Sequence, residues 1–165
     1  MRKFILLVIT AFFSMIFYAN EVQATSFTNQ DAVVNITLEN GPSFNPSSRI
    51  KLKYEFDLSG IDVKPNDMLE LEFPNTLELS GDPVFNFLDD NGDLIAIGAK
   101  QNGKIVITFT DIVSTKEQIH GFLDIELTIS NDKLPLGKNI LEFETKTGPT
   151  PIEIEIIPRI DDMSK

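Results

Sequence analysis

The sequence predicts an all-β protein, two antiparallel sheets packed face to face as a β-sandwich, and three observations carry that prediction. Apolar and polar residues alternate with a period of two through most segments, as half-buried strands require. Turn residues interrupt those segments at short, regular intervals. Only one stretch, Ser114 to His120, offers a helical signal, a Ser114/Glu117 spacing that could cap a single turn between sheets.

The strands follow in order. Val33 to Leu38 is a weak candidate, and then RIKLKYEFDL puts Ile50, Leu52, Tyr54, Phe56 and Leu58 on one face and Arg49, Lys51, Lys53, Glu55 and Asp57 on the other. Leu69, Leu71 and Phe73 alternate with Glu70 and Glu72, and Val84 to Leu88 and Leu94 to Ala99 are short candidates. Ile105, Ile107 and Phe109 alternate with Val106, Thr108 and Thr110. Leu123, Ile125, Leu127 and Ile129 alternate with Asp124, Glu126 and Thr128, and Leu141, Phe143, Ile152, Ile154 and Ile156 extend the series. The total is about nine strands. Between them stand Gly41-Pro42, Asn45-Pro46, Lys64-Pro65-Asn66-Asp67, Pro74-Asn75, Gly81-Asp82-Pro83, Asn131-Asp132, Leu136-Gly137 and Gly148-Pro149. Two Asn-Gly pairs, Asn91-Gly92 and Asn102-Gly103, fit type I′ turns of successive hairpins in a three-strand meander.

The ends set the compartment. Met1, Arg2 and Lys3 precede an apolar or small-residue run from Phe4 to Tyr18, and Val22-Gln23-Ala24 supplies small residues for a peptidase. Residues 1–24 therefore read as a secretory signal, too short in its apolar run for the about 20 residues of a membrane span. The mature chain is expected to start at Thr25 and to form one domain, 25–165, with its core at about 30–158. A frayed tail is expected from Asp161 to Lys165.

Charge and composition narrow the function classes. The chain has 14 basic and 25 acidic residues; removing Arg2, Lys3 and Glu21 with the signal leaves 12 and 24. That sign disfavours nucleic acid and anionic membrane surfaces as partners. No cysteine is present, so disulfides, thiol nucleophiles and thiolate metal sites are excluded.

Catalytic patterns are scarce, and the chain is not expected to be an enzyme or to carry a cofactor. The single histidine, His120, stands in a polar crossover, and no serine has a nucleophile-elbow sequence around it. Glu70 with Glu72 and Glu153 with Glu155 point outward on their strands, where acid catalysis is poor. FLDDNGDLIAIG admits two readings. Asp89, Asn91 and Asp93 occupy alternate positions as in a calcium loop, but the glycine comes two positions early and Lys100 stands where a bidentate glutamate belongs. The turn explains the segment more simply, leaving a weak calcium site as its alternative.

ITFTDIV (Ile107 to Val113), the crossover and GFLDIELTI (Gly121 to Ile129) resemble the Thr-Phe-Thr-Asp-aromatic-Val strand and following glycine of the immunoglobulin-like ligand-binding domains in Gram-positive surface adhesins. These are the collagen- and fibrinogen-binding adhesins, or MSCRAMMs. VKPNDMLELEFP and FLDDNGDLIAIGAKQNGKIVITF are similar to the segments that precede that strand in the family, so the resemblance covers roughly residues 30–158.

The resemblance implies an immunoglobulin-like sandwich with extra strands, secreted or held at the cell surface, that binds a host extracellular matrix protein without chemistry. It places Thr108, Phe109, Thr110 and Asp111 beside a groove that receives a strand, through which tandem domains trap a ligand. A structural or accessory domain with no ligand of its own is the alternative. Ile112 replaces the family aromatic, one domain stands where the clasp uses two, and no Leu-Pro-x-Thr-Gly sorting motif is present. Wall anchoring by that route is not expected, and ligand binding without a clasp in one chain would need another copy such as a second adhesin domain in trans, another protein, or a simpler open groove. The family's Lys–Asn crosslink is not expected either, because Lys51, Lys53 and Lys104 alternate onto polar faces.

Overall fold

The computed structural model describes residues 23–88, 91–130 and 133–159. The elements are β1 (Ser26–Phe27), α1 (Asn29–Ala32), β2 (Val33–Leu38), β3 (Ser43–Phe44), β4 (Arg49–Asp57), β5 (Met68–Leu71), β6 (Leu77–Leu79), β7 (Val84–Leu88), β8 (Leu94–Gln101) and β9 (Lys104–Phe109). After a 3-10 helix (Asp111–Thr115) come β10 (His120–Ile129), β11 (Gly137–Phe143) and β12 (Thr150–Ile156). All nine expected strands are present; β1, β3, β6 and α1 are additional. The signal segment through Val22 and the tail from Asp161 lie outside the described residues.

Three sheets result. One has the order β1-β5-β9-β8-β7, the second β2-β4-β10-β6, and a smaller third β11-β12-β3. Pairing is antiparallel except for two short parallel contacts, β1 with β5 and β3 with β12, which the alternation pattern could not anticipate. The long pair β4–β10 sets the centre, aligning Leu52 with Ile125 and Tyr54 with Leu123 so that both strands turn their apolar residues to one side. Ile50, Leu52, Leu69, Leu71, Ile105, Ile107 and Leu127 have no more than traces of accessible surface. Their burial is the main stabilising term, at roughly 1.5–3 kcal/mol per large side chain.

Aromatic rings join the layers. Phe56 of β4 meets Phe87 of β7 edge-to-face at 5.9 Å between centroids, and Tyr54 of β4 meets Phe143 of β11 at 6.1 Å. Lys100 of β8 closes the sandwich at one end. Its Nζ donates to the carbonyls of Leu79 (2.9 Å) and Gly81 (3.0 Å), reaching from the five-stranded sheet to the end of β6.

The meander β7-β8-β9 forms as expected, with one change in its first turn. Asn102 (φ 51°) and Gly103 (φ 82°) give the type I′ geometry between the paired residues Gln101 and Lys104. The first hairpin holds a register centred on Asn91-Gly92 as far as Phe87–Ala96, then slips by one to pair Leu88 with Leu94. A bulge of this kind bends the strand end away from the sheet.

The helical turn lies earlier than its sequence signal. Instead of starting with Ser114 as cap, the 3-10 helix begins at Asp111, and Lys116 is already extended. The hydroxyls of Ser114 and Thr115 donate back to the carbonyls of Asp111 (2.6 Å) and Ile112 (2.8 Å), which places both inside the turn.

Candidate functional site

Strand alternation gives the five-stranded sheet an outward face as well as a core face. Met68, Thr108, Ile97 and Asn86 are directly paired across β5, β9, β8 and β7, and Glu70, Val106, Ala99 and Val84 form the next row. The face is thus apolar through Ile97, Ala99, Val106 and Val84, with polar groups towards its margins. Val84 is 68% exposed and Ile97 40%. At one margin Lys104 Nζ lies 2.9 Å from Glu70 and 2.5 Å from Glu72. Hydrogen bonds from Lys104 and Ser26 hold the Glu70 carboxyl below the usual range, while bonds to Glu72 and Glu70 push Lys104 up to about 12.

The residues singled out at the end of β9 take four different positions. Thr108 is half-buried on the outward face, and Phe109 is in the core, with 2% of its surface accessible. Thr110 is structural: its N–H donates to Ile95 (2.9 Å) and its hydroxyl to the carbonyls of Leu94 (2.7 Å) and Ile95 (3.1 Å), fixing the start of β8. Asp111 is exposed and opens the 3-10 helix. Strand β9 has β5 on one side and β8 on the other, so its own hydrogen-bonding edges are filled from Lys104 to Phe109 except at their ends. The edge strand of this sheet on the meander side is β7; at its end the register slips past Ile95, the extra residue of β8, and Leu88 is exposed. Sequence reasoning missed this face because β8 carries apolar or small residues on both of its sides from Leu94 to Ala99, which leaves no polar alternation to mark Ile97 as outward.

Other candidates resolve as follows. Asp89 of the calcium alternative lies outside the described residues, and both Asn91 and Asp93 are engaged in interactions. Among the described residues no group of three or more histidines and carboxylates is placed to hold a metal ion. His120 is exposed at the start of β10 opposite Asp57. Hydrogen bonds from Ser59 hold Asp57 below its usual range. Lys51 is exposed, and Lys53 lies over the Phe122 ring at 4.5 Å on the outer face of the four-stranded sheet. No described helix is long and apolar enough to cross a membrane.

Solved structures share this architecture. The collagen-binding domain of the Erysipelothrix rhusiopathiae surface protein RspB superposes with a TM-score of 0.62 at 16% identity, over 82% of this chain and 48% of that one. The collagen adhesin CNA from S. aureus gives a TM-score of 0.62 at 16% identity over 81% and 46%. The Enterococcus faecalis MSCRAMM ACE, described as binding its ligands by the collagen hug, gives 0.57 at 18% over 78% and 45%. At these identities the likeness shows the fold, and the chain spans about half the length of these relatives. No curated protein matches the sequence. The sequence profile of the bacterial Ig domain family matches residues 43–139, more than half of the chain, from β3 through β10, and the protein therefore belongs to the bacterial Ig domain family.

Proposed function

We propose that the protein is a secreted, cell-surface-associated adhesion module that binds an extended host matrix protein of the collagen or fibrinogen class without catalysing a reaction. The observation that carries this reading is the outward face of the five-stranded sheet, where exposed Ile97 of β8 and exposed Val84 of β7 stand one row apart on either side of Ala99. Isolated apolar residues on a surface need no explanation, but a contiguous set such as Ile97, Ala99, Val106 and Val84 favours contact with another chain. The neighbouring β7 edge offers backbone N–H and C=O groups to an extended ligand, and the row offers side-chain contacts for selectivity. The collagen-binding descriptions of the structural relatives support the ligand class.

In this reading Thr108 touches ligand from the row it shares with Ile97, and Asp111 lies at the rim. Thr110 and Phe109 act through the fold. The relatives' greater length supports a second adhesin domain, in trans or elsewhere in a longer polypeptide, that completes the grip.

Surface plasmon resonance over immobilised collagens and fibrinogen tests the proposal. Saturable binding that Ile97→Glu abolishes is expected. Flat responses to the whole panel would instead favour an accessory domain without its own ligand.

A further inference from the structure

Asp67, 1% exposed, is the one buried carboxylate among the described residues. It is held rigidly. The Pro65-Asn66 turn, with Asn66 at φ 69°, brings the Asp67 N–H to the Lys64 carbonyl (3.0 Å), and the Asp67 carbonyl accepts from Phe109 N–H (3.0 Å). Its carboxylate oxygens accept two backbone donors, Lys64 N–H at 2.8 Å and Thr25 N–H at 2.6 Å. Both donors are neutral amides, and Lys64 Nζ turns instead to Asp62 at 3.5 Å. Among the described residues no cationic side chain is paired with Asp67.

Thr25 is also where the chain enters the fold. Its carbonyl accepts from Met68 N–H (2.8 Å), the next two residues pair with Met68 and Leu69, and Phe27 is the first buried side chain of the described residues. Gln23 and Ala24 are exposed and lie outside any strand. The secretory reading of the sequence places the scissile bond between Ala24 and Thr25, so the one nitrogen that processing would change is the nitrogen already on Asp67.

We propose that cleavage of the Ala24–Thr25 bond is read by the fold: the new α-ammonium of Thr25 pairs with Asp67 and locks the N-terminal strand onto β5. Water adds across the amide under a signal peptidase. The C–N bond breaks, Ala24 leaves as a carboxylate, and the Thr25 nitrogen, an amide with one hydrogen in the precursor, becomes an ammonium with three at neutral pH. A neutral N–H donor on a buried carboxylate is replaced by a charged one, which strengthens the bond and neutralises the buried charge.

The titratable groups on neighbouring elements are Asp31 of α1, Asp62 and Lys64 of the turn, Glu70 of β5, Lys104 of β9 and Asp111 beyond it. Of these, Glu70 is held below its usual range and Lys104 is pushed up to about 12, so neither mimics an amine that titrates near pH 8. The ammonium gains a partner on folding, so its folded pKa lies above the ordinary value of about 8. Its stabilisation is complete below that ordinary value and is lost as pH rises through the folded one.

The test starts with N-terminal sequencing of the exported protein, expected to read Thr25-Ser26-Phe27. That chain is then compared with the same chain carrying an Nα-acetyl group, which keeps the amide N–H and removes the charge. The free chain is expected to melt higher at pH 7 by roughly 3–8 °C. The gap should close above the folded pKa of the amine, and should vanish in Asp67→Asn. If Asp67→Asn does not fold, NMR titration of the α-amine in the native chain decides: a pKa above the ordinary value supports the pairing. An exported protein that begins elsewhere, or free and acetylated chains that melt together with an ordinary amine pKa, overturns it.

Discussion

The hydroxyl of Tyr54 donates to the backbone carbonyl of Glu72 at 3.2 Å, joining the central strand of one sheet to the end of β5 in the other. The same carbonyl accepts from the side-chain amide of Asn29 (2.8 Å), whose oxygen takes the Glu72 N–H (3.0 Å). Asn29 thus does with one side chain what a further strand residue would do for β5. Burial pushes the Tyr54 hydroxyl well above its usual pKa, so it remains a donor throughout the range in which proteins are studied.

Tyr54→Phe keeps the packing against Phe143 and removes one donor from a carbonyl that retains another. A loss of about 1 kcal/mol is expected by urea unfolding, with the m-value unchanged. Asn29→Ala leaves the Glu72 N–H and one carbonyl bond unmet in a buried site, and the expected loss is larger, about 2–3 kcal/mol.

Gly41 has φ 106°, and a Cβ there would overlap the ring of Phe44. Gly41→Ala therefore combines a left-handed backbone with a displaced core ring at the β3–β12 contact. Differential scanning calorimetry should show a loss of about 2 kcal/mol or more.

The Lys104 cluster gives stability a pH signature. Glu70 lies below its usual pKa in the fold, so its contribution is present above the usual glutamate range and is lost as pH falls through the depressed value. Lys104 is raised to about 12, so its contribution is present below the usual lysine range and is lost as pH rises through about 12. The cluster is largely solvated, and the effect is small at neutral pH. Lys104→Met should flatten both arms of the melting temperature against pH, and identical profiles for variant and native chain would contradict the pairing.

Ile97→Glu and Val84→Lys change exposed side chains in adjacent rows of the outward face. Stability should move by no more than about 0.5 kcal/mol, while matrix binding is lost. A variant that unfolds would show that the row is packed rather than open.

The long strands were legible because one face is buried and the other wet: β4, β10 and β12 alternate cleanly along their whole lengths. In β9 the pattern is less regular, since Val106 is buried on the outward side by neighbours that only the register reveals. β1, β3 and β6 are two or three residues long and exist through pairing with distant partners, which no local period can encode. Helix α1 carries a local signal that the strand pattern obscured, the Asp31 carboxylate accepting from the N–H and hydroxyl of Thr28. At the candidate site, the Thr-Phe-Thr-Asp motif drew attention to β9. Its neighbours across the sheet, Ile97 and Val84, became visible only once the register was known.

Amide hydrogen exchange of the Thr25–Lys165 chain, with and without a saturating collagen or fibrinogen ligand, tests the adhesion reading most directly. Protection concentrated in β7, β8 and the outward positions of β9 is the predicted result. Unchanged exchange across the meander in the presence of bound ligand would contradict it.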